Sequence, residues 1–268
     1  MTTSPDAWVY GDYAPDPASH DLVGLKARWL LEQLPTIDSP VVLDYGAGEG
    51  KYLHLVRKAR PLARLVGVDI RKPHTAVDFE FREVAPNAPL PFADRAFDLV
   101  ISCDVLEHVE SIQHSLDEIH RVLRRGGSFV GFVPAEGGFG AYALFSFLYP
   151  NIYRDTKDHV HAYTRRELLD WFSSRFQIVR LAYSYHLIGA TLDATFFASF
   201  KIPGIGPKIE KFWRGQENDV YRTRAAQANP SWVGRLVRLA NRAAYYESRL
   251  FGNLSLGAKG LHFHVVRR

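Results

Sequence analysis

Residues 41–52 read VVLDYGAGEGKY, and this stretch constrains the chain more than any other. A short apolar run bounded by a glycine cluster predicts a buried strand, Val41–Tyr45, and the residues after it predict a helix, Lys51–Ala59. Gly46, Gly48 and Gly50 permit positive φ and let a ligand lie against bare backbone. The helix start that follows offers unpaired N–H groups and the positive end of a dipole. A dinucleotide fingerprint would read G-x-G-x-x-G and cradle a pyrophosphate. Here the pattern is D-x-G-x-G-x-G, with Asp44 ahead of the glycines. A carboxylate at that place repels a pyrophosphate and suits a ligand bearing an ammonium group.

The rhythm around this turn is that of an α/β chain. Strands are expected at Arg64–Ile70, Phe79–Val84, Phe97–Cys103, Ser128–Val133, Phe176–Tyr183 and Leu261–Val266. Helices are expected at Asp21–Leu34, Ser111–Leu123 and Arg165–Phe172, with Arg124–Gly127 as the basic end and stop of the second. Strands alternating with helices argue for right-handed βαβ units and a parallel sheet whose strand C-termini share one ligand-binding edge. With 268 residues, 47% hydrophobic and 23% charged, the chain is expected to form one globular domain, not a disordered or fibrous one. One cysteine, Cys103, excludes an internal disulfide framework and a four-cysteine zinc site, and favours a reducing compartment. The first 20 residues lack a basic n-region and an apolar h-region, so no secretory leader is expected. Leu181–Phe200 comes nearest to a membrane span but carries His186 and Asp193.

Asp69, 25 residues after Asp44 at the end of the second strand, has the spacing of an acid that binds both hydroxyls of a ribose, in a nucleotide or a nucleoside cofactor. The plainer reading of each acid is a turn or helix cap. Taken with LPFADRAFDLVISCDVLEHV (90–109), EIHRVLRRGGSFVGFVP (118–134) and DHVHAYTRRELLDWF (158–172), the chain resembles the class I S-adenosylmethionine (SAM)-dependent methyltransferases, in the group that acts on small molecules. The resemblance covers about residues 38–185 and the last strand.

It implies a doubly wound, mostly parallel seven-stranded sheet with the last strand antiparallel, Rossmann-like, with helical and aromatic cap insertions. The implied layout is an N-terminal cap (1–37), a SAM-binding core (38–134), a substrate-cap insertion (135–158), a helix and strand six (159–185), a second insertion (186–258) and the last strand (259–268). Asp44, Gly46, Gly48 and Gly50 would surround the methionine moiety, Asp69 the ribose and Ile70 the adenine, with Cys103 and Asp104 bordering the methionine end. Relatives often place an acid near the adenine amino group, four residues before the Leu of L-P-F. This chain has Pro86 there, leaving Glu83, Asn87 or backbone alone for that contact.

Methyl transfer is an in-line displacement that gains from positioning and, for a hydroxyl acceptor, from a base. Candidate bases are His108, near the end of the fourth strand, and His159 and His161, after the aromatic insertion. A structural turn role competes for each. Asp104, Glu107 and His108 would share one face if helical and could hold a divalent ion, but the expectation is no metal. The aromatics of Phe139–Tyr149 serve either as core or as the wall of a pocket for an apolar, aromatic or sugar-bearing acceptor. The expected activity is methylation of a small molecule, first of a hydroxyl oxygen on a glycosylated, lipid-linked or specialised metabolite. N- or C-methylation and RNA or DNA methylation are the alternatives. No N-P-P-Y-type motif follows strand four, where the chain reads S-C-D-V, and no nucleic-acid partner is expected. A nicotinamide-dependent oxidoreductase and a silent SAM-binding regulator are rivals from other classes.

Charge is unevenly placed. Residues 201–268 hold 13 Lys and Arg against four Asp and Glu, whereas the first 200 hold 20 against 25. Ser231–Leu250 predicts an amphipathic helix with Arg235, Arg238, Arg242 and Arg249 within about 60° of arc. Trp232, Leu236, Leu239, Ala243 and Leu250 cluster beside them. Such a helix either lies on a membrane interface or docks on the domain with its arginines in water. A cytoplasmic protein, with peripheral membrane contact as one use of this helix, is the expectation.

Overall fold

The computed structural model describes residues 15–74, 76–134, 163–199, 202–204, 206–207 and 232–268. The aromatic insertion and most of residues 200–231 therefore lie outside the described residues, as do His159 and His161.

Helix α1 (Leu22–Glu32) starts where Asp21 accepts a hydrogen bond from the Gly24 N–H. Strand β1 (Val41–Tyr45), helix α2 (Lys51–Ala59), strands β2 (Arg64–Asp69), β3 (Glu80–Glu83) and β4 (Phe97–Cys103) and helix α3 (Ile112–Val122) follow. Strand β5 (Leu123–Pro134), helix α4 (Arg165–Arg175), strand β6 (Phe176–Ser184), helices α5 (Leu187–Ser199) and α6 (Trp232–Leu250) and strand β7 (Gly260–Arg267) complete the order. The seven strands form one sheet in the order β3-β2-β1-β4-β5-β7-β6. All neighbours pair parallel except β7, which runs antiparallel to both β5 and β6.

Alternation along the strands feeds two cores. Leu43, Val100, Phe129 and Val133 face α3 and α4, where they meet Leu116, Ile119, Leu168 and Phe172. Val42, Leu99, Ile101, Val130 and Phe132 face α1 and α2, where they meet Ala27, Trp29, Leu53 and Val56. A sheet buried on both faces explains why its central strands read as continuous apolar runs.

One expectation fails. Arg124–Gly127 do not end α3, which stops at Val122; they are the first part of β5. Phe97 pairs with Leu123 and Leu99 with Ser128, so extra residues of β5 bulge past β4. Fully buried Leu123 claims a ladder position, Gly126 supplies the bend at φ 75°, and Arg124 pairs with Asp98. A basic run followed by two glycines has the same composition whether it caps a helix or forms a bulge.

The strand order reverses between β1 and β4, which leaves a crevice at their carboxyl ends. The glycine turn sits there. Gly50 takes φ 80° at the start of α2, and an added Cβ would fall 2.2 Å from the Phe79 ring; Gly48 takes φ 52°, and a Cβ there would meet nothing within 4 Å. Gly50→Ala is therefore expected to cost about 3 kcal/mol, combining left-handed strain and overpacking, and Gly48→Ala only about 1–2 kcal/mol. Urea denaturation of the two variants checks this; equal losses would refute the packing part.

Candidate functional site

The turn is shaped by its neighbour strand. The Gly46 and Ala47 N–H groups both donate to the Val68 carbonyl, each at 2.9 Å. Asp69, at the end of β2, accepts from the Gly48 N–H at 2.9 Å and from the Arg71 N–H at 3.2 Å. Glu49 is buried and accepts from the His74 backbone N–H at 2.8 Å, tying the turn to the loop after β2. The cap role for Asp69 is thus real, yet each carboxylate oxygen keeps acceptor capacity for a second donor.

Asp44 lies in the sheet between Gly67 and Ile101 and is 2% exposed. Its Oδ2 has no hydrogen-bond partner. Burial pushes its carboxyl up to about 7, against a smaller opposing pull from Lys51, while Asp69 adds a further upward push. Burial lowers the Lys51 ammonium, offset in part by the charge of Asp104. Asp104 follows β4 in a left-handed conformation, φ 58°, which Asp tolerates better than most residues. Both of its oxygens lie 2.7 Å from the Lys26 Nζ, and that ammonium stands 3.8 Å from the centroid of the Phe132 ring. Cys103 is buried beside this pair, and desolvation holds its thiol up at about 12, so it is an inert lining group.

The structure brings Asp44, Gly46, Gly48, Gly50, Asp69, Cys103 and Asp104 to one sheet edge. Ile70 stands at the rim, 52% exposed, an apolar side chain on an otherwise polar border. Glu83 pairs across from Asp69 in the β2–β3 register and lies 3.5 Å from Lys72. Asn87 donates its amide to Glu110 at 2.6 Å. His108 lies in the turn after β4; its backbone N–H donates to the Val105 carbonyl, and its ring is 3.9 Å from buried Glu107. The segment of Asp104, Glu107 and His108 is a turn rather than a helix, so the shared face required for a metal site does not form. Among the described residues no group of three His, Cys, Asp or Glu side chains could hold a metal ion.

Two residues escaped the sequence reading. Lys26 lies on the same helical stripe as Leu22, Trp29 and Leu30, a lysine on a core face, and that misplacement was its signal. His262, on β7, is 2% exposed and accepts or donates through Nε2 to the Ser184 hydroxyl at 2.9 Å. Burial and the Lys26 charge drive its pKa down to about 3, so it stays neutral beneath the Lys26–Asp104 pair. Alternation along a strand alone gave no reason to single it out.

Comparison with known proteins adds an independent line. The family described as a methyltransferase domain matches residues 43–131. A demethylmenaquinone methyltransferase of Thermus thermophilus is 31% identical over 111 residues, covering 37% of this chain and 50% of that protein. A tRNA (carboxymethyluridine(34)-5-O)-methyltransferase of Arabidopsis thaliana is 32% identical over 108 residues, covering 38% of this chain and 25% of that protein. The chain thus spans about half the length, or less, of the curated relatives it matches. Among solved structures, a geranyl diphosphate C-methyltransferase of Streptomyces coelicolor, described with Mg2+, geranyl diphosphate and S-adenosyl-L-homocysteine, superposes with a TM-score of 0.53. That match has 14% identity over 91% of this chain and 79% of that one, a likeness of fold. With the strand order, the glycine turn and the family match in agreement, residues 43–131 form a methyltransferase domain of the class I S-adenosylmethionine-dependent family.

Proposed function

We propose that the chain is a single methyltransferase domain with cap segments, which transfers a methyl group from SAM to a small-molecule acceptor, first of all a hydroxyl oxygen on a glycosylated, lipid-linked or specialised metabolite. The observation that carries this is the buried Asp44 carboxylate with an unpartnered oxygen, set beside the open Gly48 turn and on the same edge as Asp69. That donor set fits a nucleoside carrying an ammonium group and opposes a pyrophosphate. SAM supplies an electrophilic methyl group on a sulfonium sulfur. Asp44 and the three glycines take the methionine moiety, Asp69 the ribose hydroxyls and Ile70 the adenine face, with Glu83, beside Asp69 in the sheet, assigned to the ring amino group. Cys103 and Asp104 border the methionine end, where Lys26 fixes the Asp104 carboxylate in place. His108, or His159 or His161 outside the described residues, accepts the acceptor's proton.

The tRNA-directed relative and the basic C-terminal quarter keep a nucleic-acid acceptor as the alternative outcome, as are N- and C-methylation. Among the described residues no helix is long and apolar enough to cross a membrane. The reading is of a cytoplasmic enzyme that meets a membrane through the basic helix α6.

SAM or S-adenosylhomocysteine is expected to raise the melting temperature, by the equivalent of about 2.7 kcal/mol at 100 times its dissociation constant, and NAD is expected to leave it unchanged. Asp69→Ala should weaken SAM binding by roughly tenfold or more, since hydrogen bonds to a charged acceptor are worth about 1.5–3 kcal/mol. Unchanged affinity in calorimetry would defeat the ribose assignment.

Asp44 gives a pH signature. Its carboxyl is about 7 in the folded chain against 3.8 as the ordinary value, so the folded state holds the proton more tightly. Ligand-free stability is then greatest at low pH as far as this group is concerned, falls as pH rises from about 4 to about 7, and is level above. A ligand ammonium favours the ionised form, so SAM affinity should rise with pH by up to about tenfold per unit below 7 and then flatten. Titration calorimetry between about pH 5.5 and 7.5 tests this, a window below the usual α-amino range. Asp44→Asn should remove the slope; a slope that persists in that variant assigns the proton elsewhere.

His108→Ala, His159→Ala and His161→Ala should each keep SAM affinity. At least one should lower turnover, followed as S-adenosylhomocysteine release with hydroxylated acceptors, by roughly 100-fold or more. Normal turnover in all three removes the histidine base.

A further inference from the structure

We propose that the outer face of α6, together with the loop that follows it, docks on a bilayer of anionic phospholipid. Among the described side chains of α6 the buried ones are Ala244, Tyr245, Glu247 and Ser248. The opposite face is open: Leu239 is 61%, Tyr246 51% and Leu250 78% exposed, and Arg235, Arg242 and Arg249 are exposed beside them. At 100° per residue these six side chains fall within about 100° of arc, with the arginines along one border and the apolar groups along the other. A helix that merely packs on its domain turns its large apolar side chains inward. Leu239, Tyr246 and Leu250 turn outward instead, flanked by long cationic side chains that can reach headgroups.

The loop after α6 extends the apolar surface. Phe251 is 46%, Leu254 54% and Leu256 79% exposed, and Leu187 at the start of α5 is 66% exposed. These side chains are displayed on a fixed backbone. Glu247 accepts the Ile188 and Gly189 N–H groups at 2.8 and 3.0 Å, which caps α5. The His186 ring is 2.9 Å from the Leu254 carbonyl, and the Tyr183 N–H donates to the Gly252 carbonyl at 2.7 Å. Contiguous exposed apolar area rimmed by polar groups marks an interaction surface.

Charge selects the partner. Glu247 is the only carboxylate within α6, and it is turned inward and used as the cap of α5, so the outer face of this helix presents cations alone. Residues 201–268 carry a net charge of +9. An anionic lipid surface complements both halves of the pattern, taking the arginines at the headgroups and the leucines among the acyl chains.

The surface also has a definite place. Gly260, which begins β7 after this loop, pairs with Pro134 at the end of β5 and with Ser184 at the end of β6. The loop therefore lies at the carboxyl edge of the sheet, the edge that carries Asp44, Asp69 and Asp104. Docking there brings the membrane to the edge that carries these acids and fits an acceptor held in the lipid phase. That last step rests on the methyl-transfer reading, whereas the docking does not.

The test is sedimentation of the full chain with vesicles of phosphatidylglycerol and phosphatidylcholine, and with phosphatidylcholine alone, at low and high salt. The wild type should pellet with the anionic vesicles at low salt and lose most of that binding at high salt. Arg242→Gln and Arg249→Gln should each weaken partitioning by roughly fivefold. Joint replacement of Leu250, Leu254 and Leu256 by Glu should abolish it with an unchanged circular dichroism spectrum, and Leu256→Glu alone, at the most exposed site, serves if the triple variant does not fold. Absence of pelleting at low salt overturns the proposal, as does wild-type binding by the leucine variants. It is equally overturned if sedimentation velocity shows a self-associating wild type that the leucine variants make monomeric without any vesicle binding, or if the arginines matter for RNA retention alone. A wild type that pellets but gains no stability from SAM supports the docking and defeats the methyl-transfer reading.

Discussion

The structure depends on a carboxylate buried at the middle of a sheet edge. Asp44 sits on β1, an interior strand, with Gly67 of β2 on one side and Ile101 of β4 on the other. An uncompensated charge in such a place is costly, and the protein meets that cost by letting the group hold a proton to about pH 7. Its neighbours are chosen around it. Gly67 has no side chain because a Cβ there would come within 2.9 Å of both Ala47 and Phe79, which would push the turn off the strand. The turn is held by the Val68 carbonyl and the Asp69 carboxylate, so β2 sets where bare backbone is offered beside the Asp44 oxygen. A site that could bind a cation is thereby made from the same contacts that close the sheet.

Most of this architecture was legible because strands and helices here obey their own periods. β1, α2 and β4 have the bounds that their apolar runs and glycines predict. What the sequence hid is where one composition serves two geometries. Arg124–Gly127 suits a helix end and a bulge equally, and only the pairing of Phe97 with Leu123 decides. Helix α6 reads as amphipathic, and its pattern alone fits both an interfacial and a docked helix; of the stripe, Leu239 and Leu250 are exposed, Trp232 and Leu236 lie outside the described side chains, and Ala244 and Glu247 meet α5. That Asp44, Asp69 and Asp104 share one sheet edge was legible from strand ends and spacing. Lys26 was not, since its partner Asp104 lies 78 residues away, and local pattern carries no record of such a pair.

Charge balance explains why the edge favours one kind of ligand. Asp44, Asp69 and Asp104 come to one edge, where Lys26 is already bound to both oxygens of Asp104. Lys51 is held below its ordinary range by burial and by Lys26, while Asp104 and Asp44 pull the other way. The lysines are thus absorbed by the protein's own carboxylates. Among the described residues, a pyrophosphate at this edge would meet three carboxylates beside lysines already within their pull, whereas an ammonium group would find Asp44 ready to ionise. The sign of the site follows from pairing rather than from the number of charged residues near it.

Helix α1 joins this edge to the outer surface. Lys26 grips Asp104 on its inner side, and Arg28, two residues on, stacks its guanidinium 4.6 Å from the centroid of the Tyr245 ring on α6. His20 meets the same tyrosine edge-on at 5.1 Å. One short helix therefore contacts both the loop after β4 and the inner face of the element whose outer face carries the arginines and leucines. Among the described side chains, the buried side of α6 offers Tyr245 to α1 and Ala244 and Glu247 to α5, while Leu239, Tyr246 and Leu250 stay on the other side. Position at the sheet edge and exposure of Leu239, Tyr246 and Leu250 are then two results of one packing arrangement.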